Sequence, residues 1–289
     1  MMSTWCRTST LGPDQRLAVL DLCNRTEVAL GREAIDEGRR RAVVHGWNAE
    51  HWLAYSNERL DGYAHLSGVA TPSLEMCGGG FDPDLADAIL ESHPQVDWWL
   101  RGTPAPESGT TIRTLQLMGV CLPVPVLDIP EGAALRIFEP ERDETQWLEQ
   151  NNAAFAHHPE QGAWRHEDLA ERTHEPWFDP SGFLLLEING RLAASCWTKV
   201  HELHPDRLGE IYVVSVHPDF QGRHLGRVMV TQGLATLRKK GVANAVLFVD
   251  ESNGSARQLY ESLGFAVDRE DNLVRFERPI HPRRDPRQK

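Results

Sequence analysis

Val213-Val-Ser-Val-His-Pro-Asp-Phe-Gln-Gly-Arg-His-Leu-Gly-Arg227 is the stretch on which the reading of this chain turns. A β-branched run ends at His217, Pro218 turns the chain, and a loop holding Gly222 and Gly226 opens a long amphipathic segment. The first N–H groups of a helix have no intrahelical acceptor, and the helix dipole adds positive charge at that end. Strand, glycine-bearing loop and helix start together predict an anion site suited to a pyrophosphate, with Arg223 and Arg227 at its rim. On the glycines alone, an ordinary strand-to-helix turn is an equal alternative.

Working outward, residues 182–188 and 191–200 flank Asn189-Gly190 and read as a β-hairpin. Residues 208–217 read as a third strand. Apolar residues at Leu225, Val228, Met229, Leu234 and Leu237, with Gly241 beyond, predict a helix over 225–240. Residues 245–250 read as a buried strand and 255–263 as a helix closed by Gly264. The order β-β-β-α-β-α belongs to the α/β (α+β) class.

Leu122-Pro-Val-Pro-Val-Leu-Asp-Ile-Pro-Glu-Gly132 is an extended linker by its prolines. It divides the chain into expected domains 1–121 and 133–289, with 122–132 between. The first half echoes the second: Arg59-Leu60 is similar to Arg191-Leu192, and Leu117-Met-Gly-Val120 to Leu263-Gly264-Phe265. An internal repeat is therefore expected, with the first copy the shorter.

Composition bounds the function. The chain has 289 residues, 40% hydrophobic and 25% charged, as in ordinary globular proteins. A net charge of −12 argues against a broad nucleic-acid or anionic-membrane surface. No apolar run reaches the ~18–20 residues of a membrane helix, and a cytoplasmic location is expected. The five cysteines are scattered, without C-x-x-C spacing, and read as reduced thiols. His157, His158, His166 and His174 lack zinc-site spacing, so no metal is expected.

The quoted stretch and its sequel resemble the GCN5-related N-acetyltransferase (GNAT) superfamily. Val216-His-Pro-Asp-Phe-Gln221-Gly-Arg-His-Leu-Gly226 is similar to its V-x-P-x-x-(Q/R)-G-x-G-x-(G/A) loop. Asn253-Gly-Ser-Ala256-Arg-Gln-Leu-Tyr260-Glu-Ser-Leu-Gly264-Phe265 is similar to its N-x-x-A-x-x-x-Y-x-x-x-G-F segment. A narrower resemblance, to the tandem-GNAT mycothiol synthase family, rests on five further groups. These are Phe155-Ala-His-His-Pro-Glu-Gln-Gly162 with Trp164, Trp177-Phe-Asp-Pro180, Trp197-Thr-Lys-Val-His201 and Gly209-Glu-Ile-Tyr-Val-Val214. It covers roughly residues 130–278 well and the first half poorly.

The resemblance implies two tandem GNAT-like domains with mixed central sheets, the N-terminal one shortened and degenerate. It implies an acetyl-CoA-dependent enzyme acetylating the cysteinyl amine of cysteinyl-glucosaminyl-inositol, and a monomer. Glu210 would be the general base and Tyr260 the general acid protonating the CoA thiolate. The amides of Val214, Ser215 and Val216 would hold the thioester arm. Gln221, Gly222, Arg223, His224, Leu225, Gly226, Arg227, Asn253, Gly254, Ser255, Ala256, Arg257 and Gln258 would contact CoA. Glu33, Glu160, Lys199, Glu210 and Phe248 would meet the acceptor. From the residues alone, Glu210 could equally be a solvent-facing strand carboxylate, Tyr260 a packed aromatic, and Glu33 an ordinary surface charge.

Three departures stand out. His224 replaces the first glycine of the family's last glycine pair, and Phe248 stands where a tyrosine is common. In the first half the corresponding loop reads Glu75-Met-Cys-Gly-Gly-Gly-Phe-Asp-Pro-Asp84, with no basic residue, so no working cofactor site is expected there. A GNAT acting on another amine, or a non-catalytic acetyl-CoA-binding module, are the alternative functions.

Overall fold

Two hairpins of the same kind anchor the architecture. Asn57 and Glu58 (φ 48° and 66°) close the first, and Asn189 and Gly190 (φ 53° and 73°) the second. Positive φ at both central residues matches the twist of paired strands. The structure is a computed structural model and describes residues 4–30, 33–68, 71–78, 81–156, 162–202 and 207–278. The chain forms two compact units. The first holds the described residues through Leu115, Asp250–Ser252, and those from Arg269 onward; the second holds Gln116–Val249 and Asn253–Asp268. Beside the expected bounds 1–121 and 133–289, the first unit thus also takes in two short stretches from late in the chain.

The first unit begins with β1 (Trp5–Thr8), α1 (Pro13–Leu30) and α2 (Glu37–His45). Then come β2 (Glu50–Ser56), β3 (Arg59–Ser67), β4 (Ser73–Cys77), α3 (Pro83–Ser92) and β5 (Gln95–Arg101). Its strands lie in the order β1-β2-β3-β4-β5, antiparallel except for the parallel β4–β5 pair. One face buries Leu53, Tyr63 and Cys77 under Val19, Leu22 and Val43 of α1 and α2. The other buries Ala64, Leu66 and Leu74 under Leu85, Ile89 and Leu90 of α3. Period-2 alternation in the strands produces this two-sided burial.

The second unit contains β6 (Thr110–Cys121) from Gln116 on, β7 (Ala133–Ile137), α4 (Glu144–Ala154), α5 (His166–Thr173), β8 (Phe183–Ile188) and β9 (Arg191–His201). It continues through β10 (Leu208–Val216), α6 (Leu225–Lys239), β11 (Asn244–Asp250) and α7 (Gly254–Ser262). The strand order is β6-β11-β10-β9-β8-β7, with β10 and β11 parallel. One face, under α6 and α7, buries Cys196, Ile211, Met229, Leu234, Leu237 and Leu247. The other, under α4 and α5, buries Trp147, Leu169, Phe183 and Trp197. Each fully buried large apolar side chain contributes about 1.5–3 kcal/mol. Helix α6 lies close on the sheet because a Cβ at Gly233 would stand 2.6 Å from Cys196 Sγ. That close seating fixes where α6 begins.

The hairpin, the third strand, both helices and the strand between them follow the sequence expectation within about two residues. The last strand, β12 (Ala266–Glu277), was not among the expected elements. Its residues Asp271 to Glu277 pair antiparallel with Arg101 to Gln95 of β5. The charged run Asp268-Arg-Glu-Asp-Asn272 hides it. Asp271 is in fact buried, accepting from the Gly102 amide at 2.9 Å and Arg269 Nε at 2.8 Å. Of the two repeat echoes, Arg59 and Arg191 do begin matching strands, β3 and β9. The other is a coincidence of short apolar-glycine pairs. Leu117-Met-Gly-Val120 is mid-strand in β6, whereas Leu263-Gly264 turns out of α7, with Gly264 at φ 90°.

Candidate active site

The cofactor loop is built on Phe220, which closes a short 3-10 turn (Pro218–Phe220) and buries its ring in the α6 face. The guanidinium groups of Arg191 and Arg223 stand 5.1 and 5.3 Å from the centroid of that ring. Beyond it, Gln221, Gly222, Arg223 and His224 are exposed. Gly222 and His224 take positive φ, 75° and 58°. The second value explains the glycine of the family pattern: that position requires left-handed backbone, which His224 adopts with a side chain attached. His224 caps α6 without any side-chain hydrogen bond to it. The N–H groups of the first turn are therefore not taken up by a capping side chain, as an anion site requires.

The start of α6 meets α7 and the end of β10 at Gly226, where a Cβ would lie 3.4 Å from Leu259 Cδ1 and 3.7 Å from Val216 Cγ2. Arg227 Nη2 donates to the Ser262 carbonyl at 3.2 Å and ties the two helices. At the head of α7, Asn253 Oδ1 accepts the Ala256 amide at 3.2 Å, and Ser255 Oγ donates to it at the same distance. No atom lies within 4 Å of the space a Gly254 Cβ would take. Arg257 stands 3.7 Å from Glu261, and Gln258 is exposed. These residues fit a polyphosphate ligand: short side chains, open glycines and two helix starts.

The equivalent helix of the first unit is closed to an anion. Asp82 Oδ1 accepts the amides of Asp84 and Leu85 at the start of α3 (3.0 and 3.3 Å). Its other oxygen accepts from Trp5 Nε1 at 2.9 Å. Glu75, third residue of β4 as Glu210 is of β10, is buried and ion-paired to Arg101 (2.8 Å) and Arg39 (3.3 Å).

In the second unit, β10 and β11 pair only at Gly209–Ala245 and Glu210–Val246, although both strands run on. A bulge at Tyr212, between Ile211 and Val213, bends β10 against β9 just beyond. Past Glu210, the amides of Val214, Ser215 and Val216 thus have no ladder to β11. The side chains of Val214 and Val216 pack toward α6, while Ser215 Oγ, on the α4 face, contacts Ser195 Oγ at 2.9 Å and donates to Gln150 Oε1 at 3.1 Å.

Glu210 and Lys199 are register partners across β10 and β9, and both are largely buried. Alternation brings Trp197, Lys199 and His201 to one face of β9. Lys199 Nζ lies 4.7 Å from the Trp177 ring centroid and 5.5 Å from that of Tyr212. Arg172 Nε donates to Tyr212 Oη at 3.2 Å. Glu210 Oε2 lies 2.7 Å from His201 Nε2. On β11, Phe248 stands two residues beyond Glu210's partner Val246, and its ring is exposed.

Tyr260 lies in the other layer, packed with the α6 cluster and 5.8 Å from Phe265, centroid to centroid. Burial pushes its phenol pKa up, which keeps it protonated. Glu33 belongs to the first unit, where its charge acts on Arg101. Glu160, with His157 and His158, lies outside the described residues. Among the described residues no cluster of His, Cys, Asp or Glu could hold a metal ion. His201, Tyr212 and Arg172 were not singled out by sequence. The period-2 spacing of Trp197, Lys199 and His201 was the available signal.

Comparison with known proteins follows this geometry. The Acetyltransferase (GNAT) family matches residues 145–265. The mycothiol acetyltransferase of Thermobispora bispora is 40% identical over 274 residues, covering 88% of this chain and 93% of that one. That of Thermomonospora curvata is 50% identical over 241 residues, covering 75% and 80%. The chain belongs to the mycothiol acetyltransferase family. As a member of that family it is an N-acetyltransferase with acetyl-CoA as cosubstrate. Two solved structures share the fold over most of the chain. The GCN5-related N-acetyltransferase from Sphaerobacter thermophilus superposes with a TM-score of 0.68 at 20% identity, covering 94% and 95% of the two chains. A tandem GNAT protein from the clavulanic acid biosynthesis pathway gives 0.66 at 15%, covering 96% and 98%.

Proposed function

We propose that the second unit acetylates the cysteinyl amine of cysteinyl-glucosaminyl-inositol, giving mycothiol and CoA by direct transfer. The observation that carries this reading is where β10–β11 pairing ends, at Glu210 and Val246. The carboxylate is thus held at the edge of the segment left without a ladder on its β11 side, whose amides facing that side can take the thioester arm. Acetyl-CoA supplies an acyl group with a thiolate leaving group. Amides at the start of α6, with Arg223 nearby, bind its phosphates, and the Asn253 to Gln258 turn flanks them.

Glu210 removes a proton from the acceptor ammonium. α-Amino groups titrate near ~7.7–8.0, so a modest base suffices. Tyr260, kept protonated by burial, donates to the departing sulfur from the α7 side. Lys199, with Glu160 and Phe248, orients an acceptor rich in hydroxyls. Domain bounds 1–121 and 133–289 are proposed as the units of function, the first without acetyl transfer. Asp82 on the α3 amides and the ion-paired Glu75 support that assignment.

The test incubates the full chain with acetyl-CoA and cysteinyl-glucosaminyl-inositol, following CoA release and N-acetylated product. Turnover with this amine supports the reading. Turnover only with other amines, or acetyl-CoA binding without turnover, overturns it. Calorimetric titration should give one acetyl-CoA per chain, and two would overturn the inactive first unit.

A further inference from the structure

The carboxylate of Glu210 is not alone. Its Oε2 lies 2.7 Å from His201 Nε2, at the end of β9, diagonal to it across the β9–β10 ladder. The two side chains are unequally buried, with 10% of the Glu210 side chain exposed against 22% of His201. Among the described residues, charged or titratable neighbours on this face include Lys199 of β9, Tyr212 of β10 and Arg172 of α5, and β11 contributes apolar Val246.

A base in this reaction must do more than abstract a proton. Acetylating an ammonium releases one net proton per turnover, and that proton must reach water. A carboxylate in solution titrates near ~4.3 and an imidazole near ~6.5, so imidazole is the better sink for a proton from an amine at ~7.7–8.0. The more exposed of the two groups is the imidazole.

Resting on the assignment of Glu210 as base, we propose that His201 is its positioning residue and proton partner. His201 fixes Oε2, so Oε1 faces the acceptor amine. The neutral imidazole donates its Nε2–H to Oε2. The ammonium proton passes to Oε1 and from there, through water, to the Nδ1 lone pair, leaving a carboxylate and an imidazolium. The imidazolium then returns the proton to water. The second proton of the attacking nitrogen leaves with the CoA thiol, which closes the balance. Lys199 is the register partner of Glu210 on the same ladder.

The experiment compares full-length wild type with His201→Gln, His201→Ala and Glu210→Gln across pH. Glutamine at 201 can hold the carboxylate by a hydrogen bond but cannot take a proton. His201→Gln should lower kcat about 10–100-fold, leaving acceptor KM and acetyl-CoA Kd within about threefold. The acid limb of its kcat profile should move down by at least one pH unit. Added imidazole should restore part of the rate of His201→Ala, a rescue a purely structural histidine would not show. An inactive Glu210→Gln beside a His201→Gln with wild-type kcat and pH profile overturns this proposal and leaves the base in place. Wild-type turnover in Glu210→Gln overturns the base assignment itself.

Discussion

Gly226, in the first turn of α6, faces Leu259 of α7 so closely that a Cβ there would stand 3.4 Å from Leu259 Cδ1. The absent side chain points at α7 and Val216, not into the loop. Alanine makes only ordinary contacts there and improves helix propensity by up to ~1 kcal/mol. Gly226→Ala should therefore bind acetyl-CoA within about threefold of wild type. Gly226→Leu overpacks the junction, costing about 1–3 kcal/mol and weakening acetyl-CoA at least tenfold. Calorimetry on both variants checks this; equal Kd values for leucine and glycine would remove the junction from the cofactor site.

His224 at φ 58° holds a backbone conformation that costs a non-glycine residue about 1–2 kcal/mol. Glycine relieves that strain but gains freedom in the unfolded chain, offsetting about 0.5–1 kcal/mol. His224→Gly should raise stability by up to about 1 kcal/mol, seen as a small rise in Tm, with acetyl-CoA affinity held or improved. A lower Tm would mean the imidazole makes a contact worth more than the strain.

Acid should weaken the first unit. Burial, with Arg39 and His51 adding like-charge cost, holds the His65 pKa down at about 3, and Tyr63 Oη sits 3.1 Å from its Nδ1. Between about 3 and the ordinary 6.5 the unfolded chain binds the proton and the folded chain does not. Stability is thus complete above 6.5 and falls by up to about 1.4 kcal/mol per pH unit below it. Asp36 also loses stabilisation as pH falls: burial raises its pKa, but Arg39 outweighs that and holds it low. Urea midpoints from pH 7 to 4 should drop, and His65→Gln should flatten that slope. An unchanged slope in the variant would place the acid sensitivity elsewhere.

Tyr260→Phe should lower kcat by about 10²-fold with acetyl-CoA Kd unchanged, because the ring packing in the α6 cluster survives and only the proton donor goes. Because burial raises the phenol pKa, the basic limb of wild-type kcat should extend above the ordinary tyrosine range. Wild-type kcat in the variant would reduce Tyr260 to a core aromatic.

Much of the second unit was legible because its signals are local. The Asn189-Gly190 turn, the apolar spacing of α6 and the two motifs each sit within one element. What stayed hidden depends on register and on distant pairing. The bulge at Tyr212 leaves no mark in composition, yet it sets which side chains join Glu210 on one face. His201 sat in a quoted motif, but its contact with Glu210 needs the β9–β10 register. β12 escaped because the partners that neutralise Asp271 include an amide 169 positions away. In the first unit, Asp82 could be read as a helix cap only once α3 was placed.

Lys199 supplies the last test. Its ammonium rests 4.7 Å from the Trp177 ring and 5.5 Å from Tyr212, whose hydroxyl is held by Arg172. Such contacts contribute about 0.5–2 kcal/mol and fix the charge in place beside Glu210. Lys199→Met keeps the aliphatic stem against the aromatics and removes only the charge. Acceptor KM should rise about tenfold, kcat should change less, and acetyl-CoA Kd should stay within about threefold. Trp177→Leu should raise KM by a smaller factor, by loosening the ammonium. The double variant should then resemble Lys199→Met alone, since the platform has no charge left to position. Additive losses would mean that Trp177 meets the acceptor directly, and a raised acetyl-CoA Kd in Lys199→Met would move the lysine to the cofactor side.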